Sequence, residues 1–251
     1  MTHENYTVAW ICALPLETAA AKAMLDKTHP QLSQPTGDDN AYTLGEISGH
    51  NIAIACLPSG VYGTIAAATV AANMRTTFPS IRFGLMIGIG GGVPSVNNDI
   101  RLGDVVVSKP TGIWGGVVQY DYGKTVASGV FQQTGMMNKP PQMLLNAIAR
   151  LHADEILGNN RGIMEVISEV LNTNVEMKAP FSRPADEEDK LFTPAYDHPR
   201  SEDSCLNCDE RRLVHRHLRT SREPRVHHGL IASRNQVMKH GKTHDRLGTR
   251  C

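Results

Sequence analysis

The stretch Phe83-Gly-Leu-Met-Ile-Gly-Ile-Gly-Gly-Gly-Val-Pro94 constrains the fold of this chain more than any other. An apolar run of strand character empties into four glycines between Gly88 and Gly92, and a second apolar run, Val105-Val-Val-Ser108, follows after a short loop. Backbone without side chains lets an anion or a sugar approach closely, and the amides of such a turn can converge on negative charge. The pattern predicts a ligand cradle at the end of a parallel strand, with Gly88, Gly90 and Gly91 as its floor. A tight structural turn is the other use of the same glycines.

A dinucleotide-binding turn also places glycines after a strand, but its spacing fails here. With Gly88 and Gly90 in the first two places, the third glycine would fall on Val93, and Pro94 then blocks the helix that should open. Asp104 stands at the start of the next strand, whereas a ribose-binding acid belongs at its end.

The 251 residues suit one α/β domain with a substantial core. Lys and Arg number 25 and so do Asp and Glu, so no global field favours nucleic acid or an acidic membrane. The balance hides a basic end: Arg211 to Arg250 holds eleven Arg or Lys against two Asp or Glu, the pattern of a solvated surface. Five cysteines, two of them in apolar runs (Cys12 and Cys56), fit a reducing, cytoplasmic setting. No apolar run approaches the roughly twenty residues a membrane span needs.

Along the chain, Tyr6–Cys12 reads as a buried strand and 16–25 as an alanine-rich helix. Residues 41–47 and 51–57 read as a strand pair turning at Ser48-Gly49-His50, and Thr64 is expected to cap a helix running to about Phe78. After the glycine strand and the Val105 strand, a further strand is expected within Ile113–Gly123, with its glycines marking a bulge or a close backbone approach. Helices follow at 142–152 and 162–171, then an irregular insertion over 178–225, then a strand at Val226–Ser233. The helix begun at Lys242 has little room before Cys251. Strands alternating with helices predict an α/β fold with a helix-covered, mostly parallel sheet.

Five stretches, in this order, carry a resemblance. They are Val8-Ala-Trp-Ile-Cys-Ala-Leu-Pro-Leu-Glu17, Gly88–Pro94, Gly103-Asp-Val-Val-Val-Ser108, Gly115–Lys124 and His228-Gly-Leu-Ile-Ala-Ser-Arg-Asn-Gln-Val-Met238. Together they make the chain resemble the purine nucleoside phosphorylase and nucleosidase superfamily, in the form found at the N-terminus of fungal NLR-like proteins. The resemblance implies a three-layer α/β/α domain with a mixed central sheet over residues 1–251, cleavage of the bond between purine and ribose, and a small-molecule purine nucleoside or nucleotide as partner. It implies no cofactor, leaves phosphate open as a co-substrate, and admits a homo-oligomer.

The same resemblance assigns residues. Glu17 matches the nucleosidase glutamate that orients attacking water, and a carboxylate beside C1′ would repel phosphate while accepting a proton from water. An exposed glutamate favoured by the helix dipole is the plainer alternative. Phosphorylases hold phosphate with an Arg and a Ser around the cradle glycine; Ile87 and Ile89 stand here, so hydrolysis is favoured over phosphorolysis. Ser59-Gly60-Val61 matches a segment lying against the nucleoside, and equally makes a helix-leading turn. Val237 and Met238 match the pair that frames adenine. The family's ribose-binding Glu-Met-Glu and its purine-protonating Asp find no match before Cys251, so a C-terminally shortened and impaired domain is expected. A non-catalytic nucleotide-sensing or interaction module is the alternative.

Cys205-Leu-Asn-Cys208, with His198, His215 and His217 nearby, supplies two zinc ligands but fits no standard knuckle, and a loop with free thiols serves as well. No metal ligand is therefore assigned. The Arg-rich run from Arg211 to Arg225 lacks the interleaved aromatics of a nucleic-acid surface.

Overall fold

The computed structural model describes residues 1–95, 98–157, 162–199, 204–205, 207–221, 223–236 and 241–242. The chain divides into two compact units, Met1–Gly91 and Gly92–Cys251.

Unit 1 runs β1 (Val8–Cys12), α1 (Pro15–Ala23), β2 (Lys27–Thr28), β3 (Tyr42–Ile47), β4 (His50–Cys56), α2 (Thr64–Thr77) and β5 (Phe83–Met86). These strands form one sheet in the order β2-β3-β4-β1-β5. β1 is parallel to both β4 and β5, whereas β3 pairs antiparallel with β4 and β2 with β3, so the sheet is mixed.

Side chains of a strand alternate between faces, and here both faces of the central strands are apolar. Val8, Trp10 and Cys12 of β1 join Ile52 and Ile54 of β4 under Ala21 of α1. Ala9, Ala53 and Ala55 lie on the other face with Leu44 and Leu57, under Val70 and Met74 of α2 and beside Tyr6 and Phe78. Small alanines on this second face leave room for Phe78, whose ring meets Tyr6 and Tyr42 edge-on at centroid distances of 5.4 and 4.9 Å. Each fully buried Ile, Leu or Phe stabilises the unit by about 1.5–3 kcal/mol.

The cap of α2 differs from expectation. Gly63, at φ +101°, is the N-cap and Thr64 is already the first helical residue. The positive φ turns the chain sharply out of the preceding loop, and glycine tolerates it where threonine does not.

Unit 2 contains β6 (Val105–Ser108), β7 (Val117–Gln119), β8 (Gly123–Thr125), β9 (Phe131–Gln133), α3 (Gln142–Ile156), α4 (Ile163–Thr173), α5 (Lys178–Phe181), β10 (Val226–Gly229) and β11 (Ile231–Ser233). The single strand expected at Val226–Ser233 is two: β10 pairs parallel with β6, and β11 pairs parallel with β7. The expected strand within Ile113–Gly123 shrinks to Val117–Gln119. Gly115 makes the close backbone approach its type suggested, since a Cβ there would lie 2.5 Å from the Met137 carbonyl oxygen.

The described residues of 178–225 are mostly irregular yet tied by ion pairs. Arg216 meets Asp189 at 2.9 Å, and Arg219 meets Asp104 at 2.7 Å. Asp104 is the hub. Its side chain is fully buried, Arg219 grips it bidentately at 2.7 and 2.8 Å, and the Arg101 and Arg225 amides and His227 Nε2 complete its shell at 2.9–3.0 Å. Burial alone would raise this carboxyl, but the Arg219 guanidinium and the further donors outweigh it and hold the group far below the usual carboxylate range. No helix among the described residues is long and apolar enough to cross a membrane.

Candidate functional site

Because β4, β1 and β5 are adjacent and parallel, their carboxyl ends open on the same edge of unit 1. Ligands of open α/β sheets bind outside that edge. Three loops leave it side by side: 57–63 after β4, 13–14 after β1, and 87–91 after β5. Two further bonds carry the ladder into these loops, Leu57 N to the Cys12 carbonyl (2.9 Å) and Ile87 N to the Ile11 carbonyl (3.1 Å).

Glu17 sits on the middle loop's helix, α1, where Pro15 occupies the first turn and needs no amide partner. Its carboxylate turns back over the strand end instead of out to solvent. Oε2 accepts from the Ala13 amide at 2.7 Å and the Leu14 amide at 2.9 Å, half of a capping box. Oε1 accepts from the Ile89 amide at 2.7 Å, a bond across 72 residues of sequence. The residue is 9 % exposed. The solvent-facing alternative therefore does not describe Glu17.

The reason for glycine at position 88 follows directly. A Cβ on Gly88 would lie 2.4 Å from Glu17 Oε1 and 2.7 Å from its Cδ, closer than any real contact, so side-chain-free backbone is what admits the carboxylate. Gly90 differs: a Cβ there would meet nothing within 4 Å. Its space is open.

On the other side, Pro58–Val61 closes a turn through Val61 N to the Pro58 carbonyl (2.9 Å), with Gly60 at φ +79°. Ser59 and Gly60 are exposed and Val61 is 52 % exposed, an apolar side chain on the same edge as Glu17. Ile87 and Ile89 flank Gly88 and are also exposed, at 41 % and 70 %. The edge thus combines one sheltered carboxylate, glycine backbone and exposed aliphatic side chains. A cavity of about 10 Å³ in unit 1, lined by His3, Gln31, Ser33, Tyr42, Thr77 and Phe78, is large enough for about one water and does not include Glu17. Val237 and Met238 lie outside the described residues, as do residues 243–251.

Comparison with solved structures places this architecture. The chain is similar to futalosine hydrolase of Helicobacter pylori with a TM-score of 0.51 at 15 % identity, over 99 % of this chain and 72 % of that one. The two share a fold. A 5′-methylthioadenosine/S-adenosylhomocysteine nucleosidase from Neisseria meningitidis, solved with methylthio-immucillin-A, is similar with a TM-score of 0.42 at 21 % identity over 70 % of this chain and 73 % of that one. In sequence, a nucleotide-binding leucine-rich repeat (NLR)-like protein of Hyaloscypha variabilis is 46 % identical over 245 residues, 97 % of this chain. The chain spans about a quarter of that relative's length, 24 %. No family model matches the chain.

Sequence reasoning singled out Glu17 and the glycines but missed the amides of Ala13, Leu14 and Ile89 that hold the carboxylate. Backbone donors carry no residue-type signal. Only Pro15 followed two places later by Glu17, the start of a capped helix, marks that turn in the sequence.

Proposed function

We propose that the chain's site cleaves the N-glycosidic bond of a purine nucleoside or nucleotide by hydrolysis, with Glu17 holding the attacking water. The observation that carries this is the unequal load on the Glu17 carboxylate. Each carboxylate oxygen has two acceptor positions. Both positions on Oε2 are taken by amides, whereas among the described residues Oε1 accepts one, leaving a position for a further donor. A water bound there would be both positioned and deprotonated by the same oxygen.

The chemistry then follows from charge. As the C1′–N bond lengthens, its electron pair leaves with the purine and the ribose ring becomes cation-like, as in glycoside hydrolysis. Water adds its oxygen to C1′, Glu17 takes one of its protons, and the purine leaves with the bond's electron pair, taking up a proton at N7 from solvent. A fixed carboxylate near C1′ favours the cationic ring electrostatically and disfavours an incoming phosphate dianion. Ile87 and Ile89 offer an oxyanion no side-chain donor, so phosphate as co-substrate would rely on the backbone amides of Gly90 and Gly91 alone. Ser59, Gly60 and Val61 would lie against the nucleoside, with Val61 in apolar contact, and Val237 and Met238 would frame the base.

A second reading has a specific observation behind it. A glutamate receiving three amide bonds also serves a turn that needs its donors satisfied, with no chemistry at all. Under it, the chain binds adenine nucleotides without turning them over, as a sensing or interaction module. Release of free purine from adenosine and ATP, followed chromatographically beside calorimetric binding, separates the two. Turnover that Glu17→Gln abolishes supports hydrolysis, and binding without purine release supports the second reading.

A further inference from the structure

In unit 2, the fold gathers three metal-binding side chains that no step above uses. The ligand atoms of His198, Cys205 and Cys208 all lie within 4.8 Å of one another, and both cysteines are free thiols. No fourth His, Cys, Asp or Glu joins them among the described residues.

The surrounding chain explains why they meet. Residues 191–196 and 209–214 run side by side, tied by Thr193 N to the Arg212 carbonyl and Val214 N to the Leu191 carbonyl (2.8 Å each) and by an isolated bridge between Phe192 and Leu213. Higher up, the Asp209 amide donates to Tyr196 Oη at 2.9 Å. Cys208 N donates to the Cys205 carbonyl at 3.3 Å, a turn that brings the two sulfurs together. His198 closes the group.

Both nitrogens of the imidazole lie against backbone carbonyls. His198 Nδ1 lies 2.9 Å from the Pro199 carbonyl oxygen and Nε2 lies 3.1 Å from the Ser204 carbonyl oxygen. A neutral ring carries one N–H, so only one of the two contacts is a hydrogen bond. When the bare nitrogen ligates a metal its carbonyl contact gives way, and the other N–H keeps a backbone carbonyl as its partner, the usual support for a ligating histidine.

The geometry points to a Zn²⁺ site formed by His198, Cys205 and Cys208, with the fourth tetrahedral position open to water or an external ligand. Two thiolates and an imidazole are the donor set of zinc, not of the oxygen-seeking Mg²⁺ or Ca²⁺. With metal bonds of about 2.3 Å to sulfur and about 2.0 Å to nitrogen, tetrahedral ligand atoms stand about 3.5–3.8 Å apart. Side-chain rotation of about an ångström closes the present separation. On binding, each thiol releases its proton to solvent, so Zn²⁺, two thiolates and a neutral imidazole sum to zero charge. Without the cation, burial and then the neighbouring Cys208 push the Cys205 thiol up. Lys190, whose charge also acts on these sulfurs, is paired with Glu210 at 2.8 Å.

The full chain, purified with a thiol reductant and no chelator, should contain about one zinc by mass spectrometry of the metal. Cys205→Ser and Cys208→Ser should each reduce this to below about a fifth, while Cys56→Ser, which touches another part of the molecule, should leave it unchanged. Replacing zinc by Co²⁺ should give the intense visible bands and thiolate charge-transfer band of tetrahedral sulfur ligation. Wild-type protein provides a test needing no variant: zinc added to the metal-free chain should slow alkylation of the exposed Cys205 by at least about tenfold. The site is refuted by metal-free protein whose thiols alkylate at the same rate with and without zinc, by a Cys205–Cys208 disulfide in the reduced preparation, or by full zinc content in both serine variants.

Discussion

Each unit holds a sheltered carboxylate, Glu17 in unit 1 and Asp104 in unit 2, and these two are held in opposite ways. In unit 2, Asp104 faces an arginine fork, a histidine and two amides, and has no acceptor position left for a ligand. In unit 1, Glu17 accepts from neutral backbone amides, and among the described residues one position on Oε1 is unfilled. A carboxylate neutralised by a cation and saturated with donors fastens chain segments. One held by amide dipoles at the carboxyl edge of parallel strands leaves an acceptor position for a reacting group. Burial alone does not separate these roles; the identity of the donors does.

The largest effect should come from breaking the cation-paired member. Asp104→Ala leaves Arg219, whose side chain is 7 % exposed, with only the more distant Asp99 carboxylate at 3.6 Å among its described ion pairs, and removes the anchor of two backbone amides. Removing one partner of a buried ion pair costs about 3–5 kcal/mol. Urea unfolding should show that loss, and a change below about 1 kcal/mol would mean that Asp104 fastens nothing.

Glu17→Gln should reverse the balance of damage. The amide can still accept from two of the three backbone donors but turns an N–H₂ toward the remaining one, at a stability cost of about 1–3 kcal/mol. Glycosidic cleavage, if Glu17 is the base, should fall by about 10²–10⁴-fold. Purine release that survives Glu17→Gln at near wild-type rate removes this residue from the chemistry. Gly88→Ala probes the same pair from the other side, because its Cβ would displace Oε1. It should reproduce the activity loss of Glu17→Gln while every atom of the carboxylate is still present.

Acid should also distinguish the two units. The folded Asp104 carboxyl lies below its unfolded value of about 3.9. Its contribution is therefore complete above the unfolded value and is lost as pH falls from there through the lower folded value. The wild-type chain should lose stability along this acid limb more steeply than Asp104→Asn, as read by unfolding midpoints across the range. Parallel limbs for the two proteins would contradict the assignment.

How much of this was legible in the sequence depended on range. β1 and β4 were readable because residues such as Val8, Trp10, Ile52 and Ile54 alternate locally with alanines, and Glu17 was readable because it follows a strand and a proline at fixed spacing. The Asp104–Arg219 pair spans 115 residues, and the Arg-rich stretch carrying Arg219 read as a solvated surface. No local pattern encodes that partnership. The break between β10 and β11 was equally hidden, since 226–233 is uniformly strand-like and only its partners, β6 and β7, divide it. At Gly63 and Thr64 two residues compete for one cap, and local φ, which propensity does not supply, decided for glycine.

The smallest structural effect, and the sharpest test of the edge as a ligand site, belongs to Gly90. Gly88 and Gly90 look alike in sequence, yet one is required by Glu17 and the other borders empty space. Gly90 is outside the positive-φ glycines, so alanine fits its backbone. Gly90→Ala should therefore leave stability within about 0.5 kcal/mol of wild type, as distant, unstrained substitutions do. If a sugar or phosphate approaches this backbone, the added methyl group occupies the ligand's space, and KM should rise several-fold with kcat less affected, a loss of uniform binding. An unchanged KM would remove Gly90 from the cradle and leave Gly88 as a packing device for Glu17, narrowing the site to the carboxylate and the turn at Ser59–Val61.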